Sequence, residues 1–135
     1  MTDQSKKGSP EESFKTLAFD FSTIRALQES TSRYRTLFNS ASDAIFVFDM
    51  QGRMLDVNRV ACEQLGYSRK EIMTMTQKQI TTPELVVQLA DQMEALEKQR
   101  QSIFETSYRT REGQDIPIEA SCRVIDYDNN QAVLT

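Results

Sequence analysis

The chain carries its strongest structural signal in Asp43-Ala44-Ile45-Phe46-Val47-Phe48-Asp49. This run is apolar at consecutive positions and rich in β-branched and aromatic residues, which predicts a strand buried on both faces. Met50-Gln51-Gly52 predicts a turn, because glycine adopts the positive φ that tight turns need. Residues 53–57 then predict the returning strand of a hairpin, with Asn58 capping the helix that follows.

Strands reappear at the far end of the chain. From Ser102 onward apolar residues recur at every second position, as in a half-buried strand. A turn at Glu112-Gly113-Gln114 separates two such alternating segments. Asp128-Asn129-Asn130 predicts a second hairpin, and residues 131–135 begin another strand. We expect the chain to be a fragment that ends inside this strand. The pattern predicts an α+β fold with a five-stranded antiparallel sheet.

Helical signals fill the remaining segments. Ser9-Pro10-Glu11-Glu12 is typical of a helix start, and a second helical stretch contains Tyr34 and Leu37. Short helices are predicted after Asn58 and Ser68, residues 74–81 are predicted to be irregular, and the longest helix is predicted to begin at Thr82. Short helices and the long helix should cover one face of the sheet.

The N-terminal helix, predicted over residues 9–32 after a disordered lead at 1–8, has a seam of apolar residues. Phe14, Leu17, Phe21 and Ile24 are spaced 3, 4 and 3 residues apart, as in a coiled coil. The seam predicts either a homodimer interface or packing against the chain's own sheet. The predicted dimer interface contains Phe14, Leu17, Phe21, Ile24, Ile45 and Val47.

Composition excludes several classes of site. The chain has 135 residues, a net charge of −4, two cysteines and no histidine. Nucleic-acid binding is not expected, because the basic residues are scattered. Without histidine, His-ligated haem and His-dependent catalytic triads are excluded, and the two cysteines lack the spacing of a zinc site. No apolar run approaches the ~20 residues that span a bilayer. We expect a cytoplasmic domain without membrane contact, metal site or catalytic residues.

Three segments in this order resemble the PAS family of sensor domains. They are residues 43–58, Leu65-Gly66-Tyr67-Ser68-Arg69-Lys70-Glu71-Ile72, and residues 108–119 with the turn at Glu112-Gly113. The resemblance covers residues 33–135. It implies helices on one face of a five-stranded sheet with a pocket between them, signalling through dimers, and an output module in the same protein. A sensor histidine kinase is the expected parent protein, followed by a diguanylate cyclase.

The resemblance also bears on cofactors. PAS relatives with flavin photochemistry carry a reactive cysteine where this chain has Gln77, so this chemistry is not expected. The remaining prediction is a small apolar ligand, oriented by Thr106 and the Tyr108 hydroxyl. The alternative is a filled core in a module that acts only through protein contacts. The predicted pocket contains Ala44, Phe46, Phe48, Leu65, Ile72, Met75, Ile80, Leu89, Phe104, Thr106, Tyr108, Ile118, Ala120 and Cys122.

Overall fold

The computed structural model describes residues 10–135, with side chains from residue 21 onward. These residues form two compact units, one ending at Leu37 and the other comprising Phe38–Thr135. The predicted disordered lead at 1–8 lies outside the described residues. The predicted division into 9–32 and 33–135 stays a prediction. The helices are α1 (Pro10–Ser40), α2 (Arg59–Leu65), α3 (Arg69–Ile72), α4 (Gln77–Ile80) and α5 (Leu89–Gln99), with a 3₁₀ helix at Pro83–Gln88.

The predicted five-stranded antiparallel sheet is confirmed. Its spatial order is β2-β1-β5-β4-β3, so the last strand lies between the first and the fourth. The hairpin at Asp128-Asn129 is also confirmed, and both residues have the positive φ that a two-residue hairpin turn requires. The strands are β1 (Phe46–Asp49), β2 (Met54–Val57), β3 (Gln101–Arg109), β4 (Asp115–Tyr127) and β5 (Asn130–Leu134).

Helix α1 differs from the two separate stretches that the sequence predicts. It runs without a break for 31 residues, which also makes it longer than the helix predicted to be the longest. The serines and threonines near its centre weaken the helical pattern in the sequence. One of them, Thr31, donates its hydroxyl to the carbonyl of Leu27 at 2.9 Å and so remains compatible with a continuous helix.

The helix predicted from Thr82 begins later than expected. Thr82 makes no side-chain capping bond, and the six residues after it form a 3₁₀ helix before α5 starts. Pro83 also removes a backbone donor from this first turn. Helix α5 is therefore only 11 residues long.

Residues 74–81 are not wholly irregular, since they contain α4. Thr76 accepts a bond from the Gln79 amide, and the Gln79 side chain accepts one from the Thr76 amide. This reciprocal pair is a capping box, which satisfies two donors at a helix start. Four residues are too few to show a helical period, so only the Thr-x-x-Gln signature could have revealed α4.

Asn58 joins three parts of the domain. Its side-chain oxygen accepts hydrogen bonds from the amides of Ala61 and Ile45 at 3.1 and 3.0 Å. Its side-chain nitrogen donates to the carbonyls of Phe38 and Asp43 at 3.1 and 2.9 Å. The sequence predicts the helix cap alone. The completely buried side chain also fixes the last turn of α1 and the entry to β1.

Candidate functional site

Most predicted pocket residues lie on the inner face of the sheet or on the helical segments that pack against it, and they form two clusters. In the first cluster the side chains of Phe46, Phe48, Leu65, Ile72, Ile80 and Tyr108 are buried, and the half-buried Ala44, Met75 and Ile118 pack against them. This cluster connects the sheet to α2, α3 and α4.

The second cluster lies under α5. Ala120 and Cys122 are buried here against Leu96, and the half-buried Phe104 and Ile118 contact them. Ile118 therefore touches both clusters. Thr106 is buried, whereas Leu89 is half-buried and lies in neither cluster. The structure brings most of the predicted residues together, but as packed side chains in two groups.

Three aromatic rings fill the centre of the first cluster. Phe46 stacks on Phe48 with ring centroids 5.7 Å apart, and it meets the Tyr108 ring edge-on at 5.5 Å. Both arrangements are favoured by the charge distribution of aromatic rings. A ligand at this point would have to displace these rings.

The Tyr108 hydroxyl is the unusual polar group of this region. The side chain is 1% exposed, and the hydroxyl has no hydrogen-bond partner of normal geometry among the described residues. Burial, with a smaller contribution from the nearby Cys122 thiol, raises the pKa of Tyr108 far above its usual value. The Gln77 side chain opposes this shift of the pKa only in part. The hydroxyl is therefore neutral and able to bind a polar atom.

Replacing Tyr108 with Phe tests whether the hydroxyl has a partner in solution. A buried donor without a partner costs about 1–3 kcal/mol, so we expect Tyr108→Phe to leave stability unchanged or to raise it by about 1 kcal/mol. Urea denaturation measures this difference, with the half-buried Tyr67→Phe as the matched control. A loss of about 1 kcal/mol or more would show that a bound molecule or water satisfies the hydroxyl.

A groove of about 830 Å³ is lined in part by Tyr108. It lies between the residues that lead into β1 and the first half of β4. Five predicted pocket residues line it, namely Ala44, Phe46, Tyr108, Ile118 and Ala120. Its rim carries the carboxylates of Asp43 and Glu119.

The chemistry of the two cysteines bears on the cofactor predictions. Burial raises the pKa of the Cys62 and Cys122 thiols above the usual value, so both are protonated at neutral pH and are poor nucleophiles. Gln77 begins α4, and Cys62 lies on α2. The absence of a flavin and of haem stays a prediction. Among the side chains from residue 21 onward, no three acidic, cysteine or histidine groups are placed to hold a metal ion.

The predicted dimer residues have different environments. The side chains of Phe14 and Leu17 lie outside the described residues. Phe21 and Ile24 are 63% and 50% exposed on α1. Ile45 is half-buried, and Val47 is 2% exposed within the chain itself, so it offers almost no area to a partner.

Sequence reasoning missed exposed apolar residues further along α1. Leu27 is 63% exposed and Tyr34 is 40% exposed. Ile24, Leu27, Thr31 and Tyr34 follow one another at spacings of 3, 4 and 3, which repeats the predicted seam. The predicted seam ends at Ile24, where this second segment begins. The heptad positions of the second segment are shifted by three residues relative to those of the first. This shift hides the second segment from a search for one strict repeat.

None of the helices in the described part of the chain, residues 10–135, is long and apolar enough to cross a membrane.

Comparison with known proteins agrees with this architecture. The family model described as the PAS fold matches residues 32–134. The methyl sulfide methyltransferase-associated sensor of Methanosarcina acetivorans is 32% identical over 111 residues, which are 82% of this chain and 11% of that protein. The chain therefore spans about a tenth of the length of this relative.

Two solved structures show the same fold. The PAS domain of an HTR-like protein from Haloarcula marismortui is 23% identical with a TM-score of 0.74, and the match covers 83% of this chain and 93% of the other. A domain of a sensory box sensor histidine kinase/response regulator from Geobacter sulfurreducens is 25% identical with a TM-score of 0.66, over 80% and 93% of the two chains. With its sheet order, its inner-face clusters and the family match over residues 32–134, the chain belongs to the PAS family of sensor domains.

Proposed function

We propose that this PAS domain is the regulatory input module of a longer cytoplasmic signalling protein, a sensor histidine kinase, and that it acts as a homodimer formed through α1. A diguanylate cyclase is the second candidate for the parent protein. The proposal of a sensor in a longer protein is supported by the Methanosarcina relative, which is named a sensor and is much longer than this chain. Two free cysteines are in keeping with a reducing compartment.

The exposed apolar seam of α1 is the observation that carries the proposal of a dimer. A helix of 31 residues extends about 46 Å, and apolar residues exposed along such a length mark an interaction surface. The 3-and-4 spacing suits a second helix of the same kind, because knobs of one helix then enter holes of the other. A second copy of this chain supplies that complementary surface.

A route from the domain to the seam follows from the bonds of Asn58. Its side chain donates to the Phe38 carbonyl in the last turn of α1, and the Arg59 amide donates to the Asn39 side chain at 3.1 Å. A change in packing on the inner face would reach α2 and Asn58 first. For such a change to switch the dimer, two arrangements of the dimer must differ in free energy by only a few kcal/mol.

Polar substitutions in the seam test the proposed dimer. Burial of one Ile or Leu side chain is worth about 1.5–3 kcal/mol, so we expect the double variant Ile24→Ser, Leu27→Ser to weaken dimerisation by at least about 100-fold. Sedimentation equilibrium measures the dissociation constant. Val87→Ser is the control, since Val87 is an apolar residue that is 80% exposed but lies outside α1. A wild-type protein that is monomeric at high concentration, or an unchanged constant in the double variant, would exclude this dimer.

A ligand bound on the inner face is a second candidate function, and the buried Tyr108 hydroxyl favours it. Thr106 lies two residues away on β3, on the same face of the sheet, so both groups could orient a small, mostly apolar molecule. Native mass spectrometry of the purified protein tests this function directly. An apo mass, with no thermal shift across a metabolite library, would leave the filled core as the better account.

A further inference from the structure

Strand β3 forms one edge of the sheet, and most of this edge is open. The sheet order places β3 beside β4 alone. Near the end of β3, the Ser107 carbonyl accepts the Thr82 amide at 2.8 Å, and Thr81 forms a bridge with Tyr108. Among the described residues, no backbone hydrogen bond from outside the sheet reaches residues 101–106. The edge is therefore covered near Ser107 and open over residues 101–106.

The alternation of an antiparallel strand determines which backbone groups lie on the open edge. Because the Ser107 carbonyl bonds away from β4, the other odd-numbered residues of β3 direct their backbone groups the same way. In the open stretch these residues are Gln101, Ile103 and Glu105. Residues 101–106 contain neither proline nor lysine, which commonly protect an edge strand from pairing. Each of the three residues thus offers one donor and one acceptor to a further strand.

The side chains on the outer face of this edge differ between its two ends. At one end Glu105 stands directly opposite Glu119 of β4, and like charges in such positions destabilise a strand pair. Neither carboxylate has a salt-bridge partner among the described residues. At the other end the Arg123 guanidinium donates to the Gln101 side-chain oxygen at 3.1 Å. Ile103 lies between these ends and is 70% exposed.

The two ends complement each other when a second copy of β3 runs antiparallel along the edge. With the pairing centred on Ile103, Gln101 lies opposite the partner's Glu105, and Ile103 lies opposite the partner's Ile103. The Gln101 oxygen already accepts from Arg123, so the amide nitrogen is left to donate to the partner's carboxylate. Neighbouring strands are about 4.8 Å apart, so the Arg123 guanidinium at Gln101 also attracts that carboxylate.

The open stretch fits one register of this pairing. A shift by two residues that sets Ile103 opposite the partner's Glu105 would bring the first residue of β3 to the partner's Ser107, whose carbonyl is already occupied. A shift by four residues would set Glu105 opposite the partner's Glu105. A shift in the other direction would set Glu105 opposite the partner's Gln99, which belongs to α5 and not to the strand. The register centred on Ile103 avoids all three conflicts.

We propose that the open edge of β3 pairs with the same edge of a second copy of this chain, antiparallel and centred on Ile103. The two sheets then form one continuous sheet of ten strands, five from each copy. The contact uses residues of Phe38–Thr135 alone and does not depend on the proposed dimer through α1. Since a short edge makes a small interface, we expect association at protein concentrations on the order of 0.1 mM.

Single cysteines on the outer face of β3 test the pairing. All variants also carry Ile24→Ser and Leu27→Ser, so that association through the α1 seam does not contribute. Ile103 lies opposite its own copy with Cα atoms about 5.5 Å apart, a separation that a disulfide spans. The two copies of Glu105 lie about 13 Å apart along the strands. Under mild oxidation we expect Ile103→Cys to form a covalent dimer at least about tenfold faster than the matched control Glu105→Cys.

The register is tested by an exchange of side chains between the two ends. Gln101→Glu sets a glutamate opposite the partner's Glu105 at both ends of the pairing, so we expect the dissociation constant to rise about tenfold. Adding Glu105→Gln restores one amide opposite one carboxylate and should return the constant to its original value. Sedimentation equilibrium in the same Ile24→Ser, Leu27→Ser background measures these constants. An unchanged melting temperature shows that the variants, which alter exposed side chains, remain folded.

Three results would overturn the pairing. They are equal rates of cross-linking at Ile103→Cys and Glu105→Cys, no cross-linking at Ile103→Cys above the rate of the native Cys62 and Cys122, and a Gln101→Glu effect that Glu105→Gln does not reverse. The second result would leave the edge to a strand of another protein. Because the α1 seam is altered in every variant, none of these results depends on whether the proposed α1 dimer forms.

Discussion

Replacing Asn58 with Ala should lower the stability of the domain by at least about 3 kcal/mol. The substitution removes four hydrogen bonds made by one completely buried side chain. It also leaves the carbonyl of Phe38 and the amide of Ala61 without these partners in buried surroundings. Each buried polar group that loses its partner costs about 1–3 kcal/mol, and the lost helix cap contributes to the same total.

Chemical denaturation of Asn58→Ala measures this loss, and Asn39→Ala provides the control. The half-buried Asn39 accepts a single backbone hydrogen bond, so we expect its removal to cost about 1 kcal/mol. If the two variants were equally stable, Asn58 would be an ordinary helix cap. The proposed route from the inner face to the last turn of α1 would then lose its physical basis.

Replacing Phe46 with Ala should lower stability by about 3–5 kcal/mol. Phe46 is the ring that contacts both Phe48 and Tyr108, so truncation opens a cavity and removes two aromatic contacts at once. Phe46→Leu retains most of the volume and should cost about 1.5 kcal/mol, mainly through the lost ring contacts.

The comparison of Phe46→Ala with Phe46→Leu in urea denaturation separates packing from aromatic contact. Ile103→Ala is the surface control, since Ile103 is 70% exposed, and its effect should stay within about 0.5 kcal/mol. A loss of stability below about 1 kcal/mol in Phe46→Ala would mean that the aromatic centre is loosely packed. An empty pocket would then be a better description of the inner face than a filled core.

Much of the fold could be predicted because local signals agree with one another. The alternating residues of β4, the positive-φ turn at Asp128-Asn129 and the Asn58 cap each specify a local geometry that the structure confirms. These features act over a few residues, and a single sequence displays them directly. The family resemblance then joined them into one five-stranded antiparallel sheet, which the structure confirms.

The features that sequence reasoning missed depend on distant contacts or on segments too short for a period. Helix α4 has four residues, and Thr82, which precedes the 3₁₀ helix, is held by its amide bond to the Ser107 carbonyl on the edge strand β3. The predicted pocket set shares one face of the sheet, which periodicity can show. Periodicity could not show that Phe46 and Tyr108 meet and fill the centre, nor that Val47 on the other face is already buried.

The packed inner face of the domain is linked to an exposed helix. The inner-face clusters connect to α2, whose cap Asn58 bonds to the end of α1, and α1 presents the apolar seam. A ligand bound near Tyr108 would change the packing of the inner face and would thereby act on the same contacts through α2 and Asn58. The dimer is therefore the central claim. Without it, a change in the packing of the inner face could not be passed through α1 to a second chain.

Cysteine cross-linking along α1 tests this claim most directly. Leu27 lies in the seam, whereas Glu29 is equally accessible but faces away from it. Under mild oxidation we predict that Leu27→Cys forms a covalent dimer rapidly, while Glu29→Cys remains monomeric, and the native Cys62 and Cys122 provide the background rate in the unmodified chain. Equal cross-linking at both positions, or none at Leu27→Cys, would contradict a dimer built on the α1 seam.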